Sequence, residues 1–149
     1  MMRRIWLTLA AVASPLAAQN APALFDSTRT VPLSPGQWNY SSSASGSEAR
    51  FGAMFSIRCD RMTRQVTLSR SEPLATPPGA MIIGTDLAVR TIPANGVVAA
   101  NDPVLDAMAF SRGRFIVSGT GAVGGGGAGG RLVLPASPEA ARSIEDCRN

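Results

Sequence analysis

Asp102 and Asp106 stand one helical turn apart in this chain, and Glu145 and Asp146 stand side by side just ahead of Cys147. Acids paired at such spacing can hold a divalent cation or divide general-acid and general-base work between them. Histidine is absent from all 149 positions. The usual base near neutral pH is therefore missing, and no Ser-His-Asp or Cys-His nucleophile and no histidine zinc site can be assembled. A carboxylate- or cation-dependent enzyme, with Asp102 and Asp106 as a cation site, is the enzyme class that remains. Structural uses for the same acids compete with it. Asp102 precedes Pro103, an acceptor followed by proline at the first helical position, and so reads as a helix cap. Asp106 sits early in that helix, where the dipole favours a negative charge. The reading assigns no catalytic residue, no metal and no cofactor.

Glu145 and Asp146 near a helix end lie against the dipole and call for a cation. An arginine from the segment Ser111-Arg112-Gly113-Arg114, or Arg148, is expected to reach them as a clasp. In the rival reading Arg112 and Arg114 bind an external anion. All 14 basic residues are arginine. The glycine-rich run from Gly119 to Gly130 lacks the Gly-Lys-Ser or Gly-Lys-Thr ending of a phosphate loop, and it leads into a strand-like Arg131 to Leu134 where a dinucleotide fingerprint needs a helix. It reads as a hairpin tip.

The elements that must position these residues follow from period and punctuation. Pro103 to about Ser111 is a helix with Val104, Leu105, Met108 and Ala109 on one stripe, and Gly113 is suited to the positive φ that closes it. A second helix opens at Ser137-Pro138 and carries Ala140, Ala141, Ile144 and Cys147 at helical spacing. From Gln37 the pattern turns to β. Trp38 and Tyr40 alternate with polar neighbours, Ser41 to Ser47 reads as a turn, and Arg50 to Asp60 reads as one strand with Phe51, Ala53, Phe55, Ile57 and Cys59 on one face. Arg64 to Arg70 is the next strand, Glu72 to Gly79 a proline-rich loop, and Ala80 to Thr85 and Leu87 to Ile92 are short strands. Asn95-Gly96 predicts a hairpin between Val89 to Ile92 and Val97 to Ala100. The fold class is α+β, a mostly antiparallel β-sandwich or curled sheet with two short helices near the C-terminus. Trp38, Tyr40 and Phe25 are candidates for an exposed interaction face, against the commoner fate of such residues in a core.

Residues 1–18 have the parts of an export signal: Arg3 and Arg4, an apolar run from Ile5 to Ala13, and small residues near Ala17 and Ala18. The run is too short for a bilayer-spanning helix of about 20 residues, so no integral membrane span is expected after signal removal. Residues 19–36 read as an extended N-terminal arm, and 37–149 as a single β-rich domain. Without its first 18 residues the chain carries 12 arginines against 10 acids, a net +2. That is too little for a nucleic-acid footprint. Export brings the two cysteines into an oxidising compartment, where they can pair only as Cys59 with Cys147. In the chain-entropy model a loop of about 90 residues gives roughly 4–5 kcal/mol. Both cysteines lie on the apolar faces of their elements, so both sulfurs point to one core.

The order Leu105-Asp-Ala-Met-Ala, Arg112-Gly-Arg-Phe-Ile-Val, glycine loop, Arg131-Leu-Val-Leu and alanine-bearing helix resembles the carboxyl-terminal half of the invasion-associated locus B family, exported bacterial envelope proteins of β-sandwich type. The resemblance covers the last third of the chain. Here there are only two cysteines and a terminal Glu-Asp-Cys-Arg, where the family usually opens its final helix with glycine-phenylalanine. It implies a non-enzymatic envelope protein and carries over no catalytic residue. The expectation is a periplasmic or secreted binding or interaction module whose partner is an unidentified envelope protein or ligand. The alternatives are the carboxylate enzyme and a structural envelope component.

Overall fold

The computed structural model describes residues 25–70, 80–119 and 131–149. The signal-like residues 1–18, the start of the arm at 19–24, the whole proline-rich loop at 72–79 and the glycine-rich tip at 120–130 lie outside the described residues. Among the described residues nine strands form two antiparallel sheets. The larger sheet has the order β1 (Trp38–Ser42), β2 (Gly46–Phe51), β3 (Phe55–Asp60), β4 (Gln65–Arg70) and β7 (Val97–Ala99). The smaller runs β6 (Val89–Ile92), β5 (Met81–Gly84), β8 (Arg114–Gly119) and β9 (Arg131–Pro135). Helix α1 spans Pro103–Ala109 and helix α2 spans Pro138–Glu145. The chain is α+β, as its pattern predicts.

Side chains of period two decide which faces meet. Phe51, Phe55, Ile57, Cys59, Val66 and Leu68 from the larger sheet share one buried cluster with Met81, Ile83, Phe115, Val117, Leu132 and Leu134 from the smaller. Trp38, Phe55 and Phe115 bridge the two sheets, with ring centroids 6.1–6.4 Å apart, a spacing that suits edge-to-face aromatic contact. The Trp38 indole N–H donates to the Pro135 carbonyl at 2.9 Å. Trp38 is thus half-buried in the core and Phe25 is buried, so neither belongs to an exposed aromatic face.

Helix α2 lies across β1, β2 and β3 and also touches α1. Its N-cap is Ser137, whose hydroxyl accepts the Glu139 N–H, and Pro138 follows in the first turn. On its inner side the buried Ser143 hydroxyl donates to the Ile57 carbonyl at 3.0 Å. One turn on, the buried Cys147 bonds to Cys59, with Cα atoms 5.4 Å apart. The pairing expected from the two apolar faces is therefore present, and it fastens the end of the chain to β3.

Three local expectations are corrected. Arg50 to Asp60 is two strands: a turn through Gly52, at φ 53°, separates β2 from β3 and keeps Phe51 and Phe55 on the same face. The serine-rich stretch is not wholly a turn, since Ser41 and Ser42 end β1 and Ser47 pairs with Cys59 in β2. Asn95-Gly96 does not close a hairpin. Its flanking strands pair with β5 and β4 in different sheets, so this turn carries the chain from one sheet to the other. The local turn chemistry is as expected, with Gly96 at φ 70° and its carbonyl accepting the Leu68 N–H, but turn type does not dictate which edge offers the better partner.

The β2–β3 pairing is tight at Gly46, where a Cβ would lie 2.0 Å from the Cys59 carbonyl oxygen. Both atoms belong to backbone, so no rotamer change relieves the contact. Gly46→Ala is expected to cost about 1–3 kcal/mol, the ordinary range for overpacking. An unchanged melting temperature in this variant would show that the two strands do not approach as described.

Candidate functional site

The first described stretch of the arm, residues 25–31, does not run extended. The Thr28 hydroxyl donates to the Phe25 carbonyl at 2.7 Å, and backbone bonds Thr28 to Phe25, Arg29 to Asp26 and Val31 to Thr28 wind it into turns. Farther on, Ser34 pairs with Val133: its N–H donates to the Val133 carbonyl and its hydroxyl accepts the Val133 N–H, at 2.8 and 3.0 Å. Ile116 and Val133 are buried yet alternate with core-facing neighbours. Their face is the one away from the inter-sheet core, and the arm is joined to it at Ser34. Arg114, two residues before Ile116 and hence on the same face, donates to the carbonyls of Thr28 and Val31 at 3.1 and 2.9 Å.

Beside this junction opens a cleft of about 610 Å³, lined by Phe25, Arg29, Asp86, Leu87, Arg112 and Arg114. The turn between β5 and β6 forms one wall. The Thr85 hydroxyl accepts the N–H groups of Leu87 and Ala88, at 3.1 and 2.9 Å, a side-chain-closed turn that sets Asp86 and Leu87 at its tip. Asp86 points back toward the loop after α1, where Ser111 donates to it at 3.2 Å and the Arg112 guanidinium lies 3.7 Å away. Leu87 points outward and is 65% exposed. Two of the sequence-read anion candidates, Arg112 and Arg114, are thereby brought to one site. Arg29, Asp86 and Leu87 were not legible as its other members, because no spacing rule links positions this far apart.

Of the candidate arginines for the C-terminal clasp, Arg148 is the one that reaches Glu145. Arg148 donates to Glu145 at 3.0 Å, to Asp106 at 2.7 Å and to the Ala100 carbonyl at 2.9 Å, tying α2, α1 and the end of β7 together. Arg112 and Arg114 are occupied elsewhere, as described above. Asp146 accepts the Tyr40 hydroxyl and faces Arg61 at 3.7 Å, while the Arg142 guanidinium stacks 4.4 Å over the Tyr40 ring. Asp102 caps α1 through the Val104 N–H at 3.0 Å and pairs with Arg90 at 3.1 Å. The two acids of the supposed cation site are each turned to a different arginine. Among the described residues no three acids or cysteines gather in a way that could hold a metal ion.

Partial burial raises the Asp146 pKa, but hydrogen bonds from Tyr40 and Ser47 and the charges of Arg61 and Arg142 outweigh it, so the carboxyl is held below its ordinary value. A lowered folded pKa adds stability that is present above the unfolded value, about 3.9, and fades as pH falls through the folded one. Wild type is accordingly expected to lose more melting temperature than Asp146→Asn when both are taken from pH 6 to pH 3. Parallel curves for the two proteins would remove Asp146 from the acid response.

No family model, no curated protein and no solved structure matches the chain.

Proposed function

We propose that this chain is an exported binding module of the bacterial envelope and works by holding a ligand, not by transforming one. The observation that carries this reading is the arginine-lined cleft beside the arm, where among the described residues Arg29, Arg112 and Arg114 share the lining with one acid, Asp86. Guanidinium groups remain protonated throughout the physiological range, so they offer fixed charge and directed donors but no proton to exchange. The carboxylates that could have served an enzyme are already committed to helix capping and ion pairs.

Export is supported by the signal-like residues 1–18 and by the buried disulfide, a bond characteristic of oxidising compartments. Among the described residues no helix is long and apolar enough to cross a membrane. The order of elements in the last third, with its likeness to the invasion-associated locus B pattern, agrees with an envelope role. Expression of the full chain in a Gram-negative host, followed by osmotic shock and amino-terminal sequencing, tests the proposal. Release of an oxidised chain beginning near Gln19 is expected. Retention in the cytoplasm with residues 1–18 in place and two alkylatable thiols would overturn it.

A further inference from the structure

We infer that the cleft takes the headgroup of an anionic lipid, with the acyl side of the molecule resting on the apolar rim. The inference rests on reading this cleft as the binding site, and it adds the class of ligand. Among the described residues three guanidiniums and one carboxylate line the cavity, so this lining is basic on balance. Their engagements differ in a way that matters. Arg114 is partly committed, since two of its N–H groups hold the arm carbonyls, and the rest of a five-donor fork remains available. Arg29 pairs with Asp26 at the surface, and both side chains are more than half exposed. Arg112 is 91% exposed and meets Asp86 only at 3.7 Å. Exposed pairs of this kind are weak, so both Arg29 and Arg112 can turn to a phosphate at small cost, and bidentate contact with its oxygens is stronger than what they give up.

Charge alone would suit any small anion. The rim narrows the choice. Leu87 lines the cleft at 65% exposure, and Phe110, two residues before Arg112, is 71% exposed. These are two of the few large apolar side chains presented to solvent. The Asp86–Ser111 bond joins their two loops; Leu87 lines the basic opening, and Phe110 precedes the lining Arg112 by two residues. An aromatic and an aliphatic residue flanking arginines fit the boundary between headgroups and acyl chains, and nearby basic residues are attracted to an anionic leaflet. A fully hydrated anion such as phosphate would use the arginines and leave the rim idle.

The test is cosedimentation of the mature protein with vesicles of phosphatidylcholine alone or containing phosphatidylglycerol, at low and high salt. Arg29→Ala with Arg112→Ala, and Leu87→Ser with Phe110→Ser, are measured beside it. All four side chains are exposed, so both variants fold, and matching circular dichroism verifies this. Phosphatidylglycerol is expected to strengthen binding at least tenfold at low salt. Each double variant is expected to lose at least fivefold, and dihexanoyl phosphatidylglycerol is expected to compete while inorganic phosphate at equal concentration does not. Equal binding to the two vesicle types, no binding to either, unchanged binding by the variants, or equal competition by inorganic phosphate would each overturn the inference. None of these outcomes bears on export, which is read by fractionation.

Discussion

Replacing both cysteines, Cys59→Ala with Cys147→Ala, is expected to lower stability by about 2–4 kcal/mol, the usual contribution of a native disulfide. For a domain of this size that corresponds to a fall in melting temperature of roughly 8–15 °C. The loop it closes spans 88 positions of sequence, so in the chain-entropy view the bond restrains the unfolded chain over most of its folded length. Its folded surroundings raise the cost further. Cys147 is buried under β3 directly after α2, and both partners are nearly inaccessible, so substitution leaves a gap where α2 is fastened. Secondary structure is expected to survive in the variant, because α2 keeps its Ser137 cap, the Ser143 bond to Ile57 and the Arg148 clasp. A melting temperature within two or three degrees of wild type, measured under non-reducing conditions, would contradict this account.

That bond was legible in advance because it depends on two local periodicities, each complete within a few residues. Cys59 shares a strand face with Ile57 and Phe55, and Cys147 follows Ile144 and Ala140 at helical spacing. The same is true of both helix starts, where a side-chain acceptor followed by proline is a rule confined to two residues. What escaped depends on partners distant in sequence. Gly46–Phe51 contains few β-favouring side chains and is a strand because β1 and β3 pair with it on either side. Asn95-Gly96 gave the right turn but the wrong neighbours, since the choice of sheet is made by β4 and β5. The cleft escaped altogether as a unit. Arg114 stands out in the sequence as a possible anion ligand, but its role depends on the carbonyls of Thr28 and Val31, more than 80 positions away. Glu145 and Asp146 call for cations, and Arg148, three residues after Glu145, is within local reach; Arg61, the partner of Asp146, lies too far away in sequence for any helix rule to reach.

The second large effect is expected at Phe115, which sits where the sheets meet. Its ring is fully buried and stands 6.1 Å from Phe55 and 6.2 Å from Trp38. Phe115→Ala removes the smaller sheet's contribution to an aromatic cluster that otherwise belongs to the larger one. The loss combines transfer of the ring with the cavity left behind, and such substitutions cost about 3–5 kcal/mol, or roughly 10–20 °C in melting temperature. The neighbouring position provides the control. Ile116 is just as buried but lies outside the inter-sheet cluster, on the face of β8 that Arg114 shares. Its substitution by alanine is expected to cost about 2–5 kcal/mol as well, but the two losses differ in their couplings. Ile116→Ala shares its face with Arg114, whose guanidinium holds the arm in place, so combining it with Arg114→Ala should cost less than the sum of the two. Phe115→Ala combined with Arg114→Ala should be additive, because their side chains lie on opposite faces of β8. Additivity in both pairs would mean that the arm does not cover Ile116, and the placement of the cleft would fall with it.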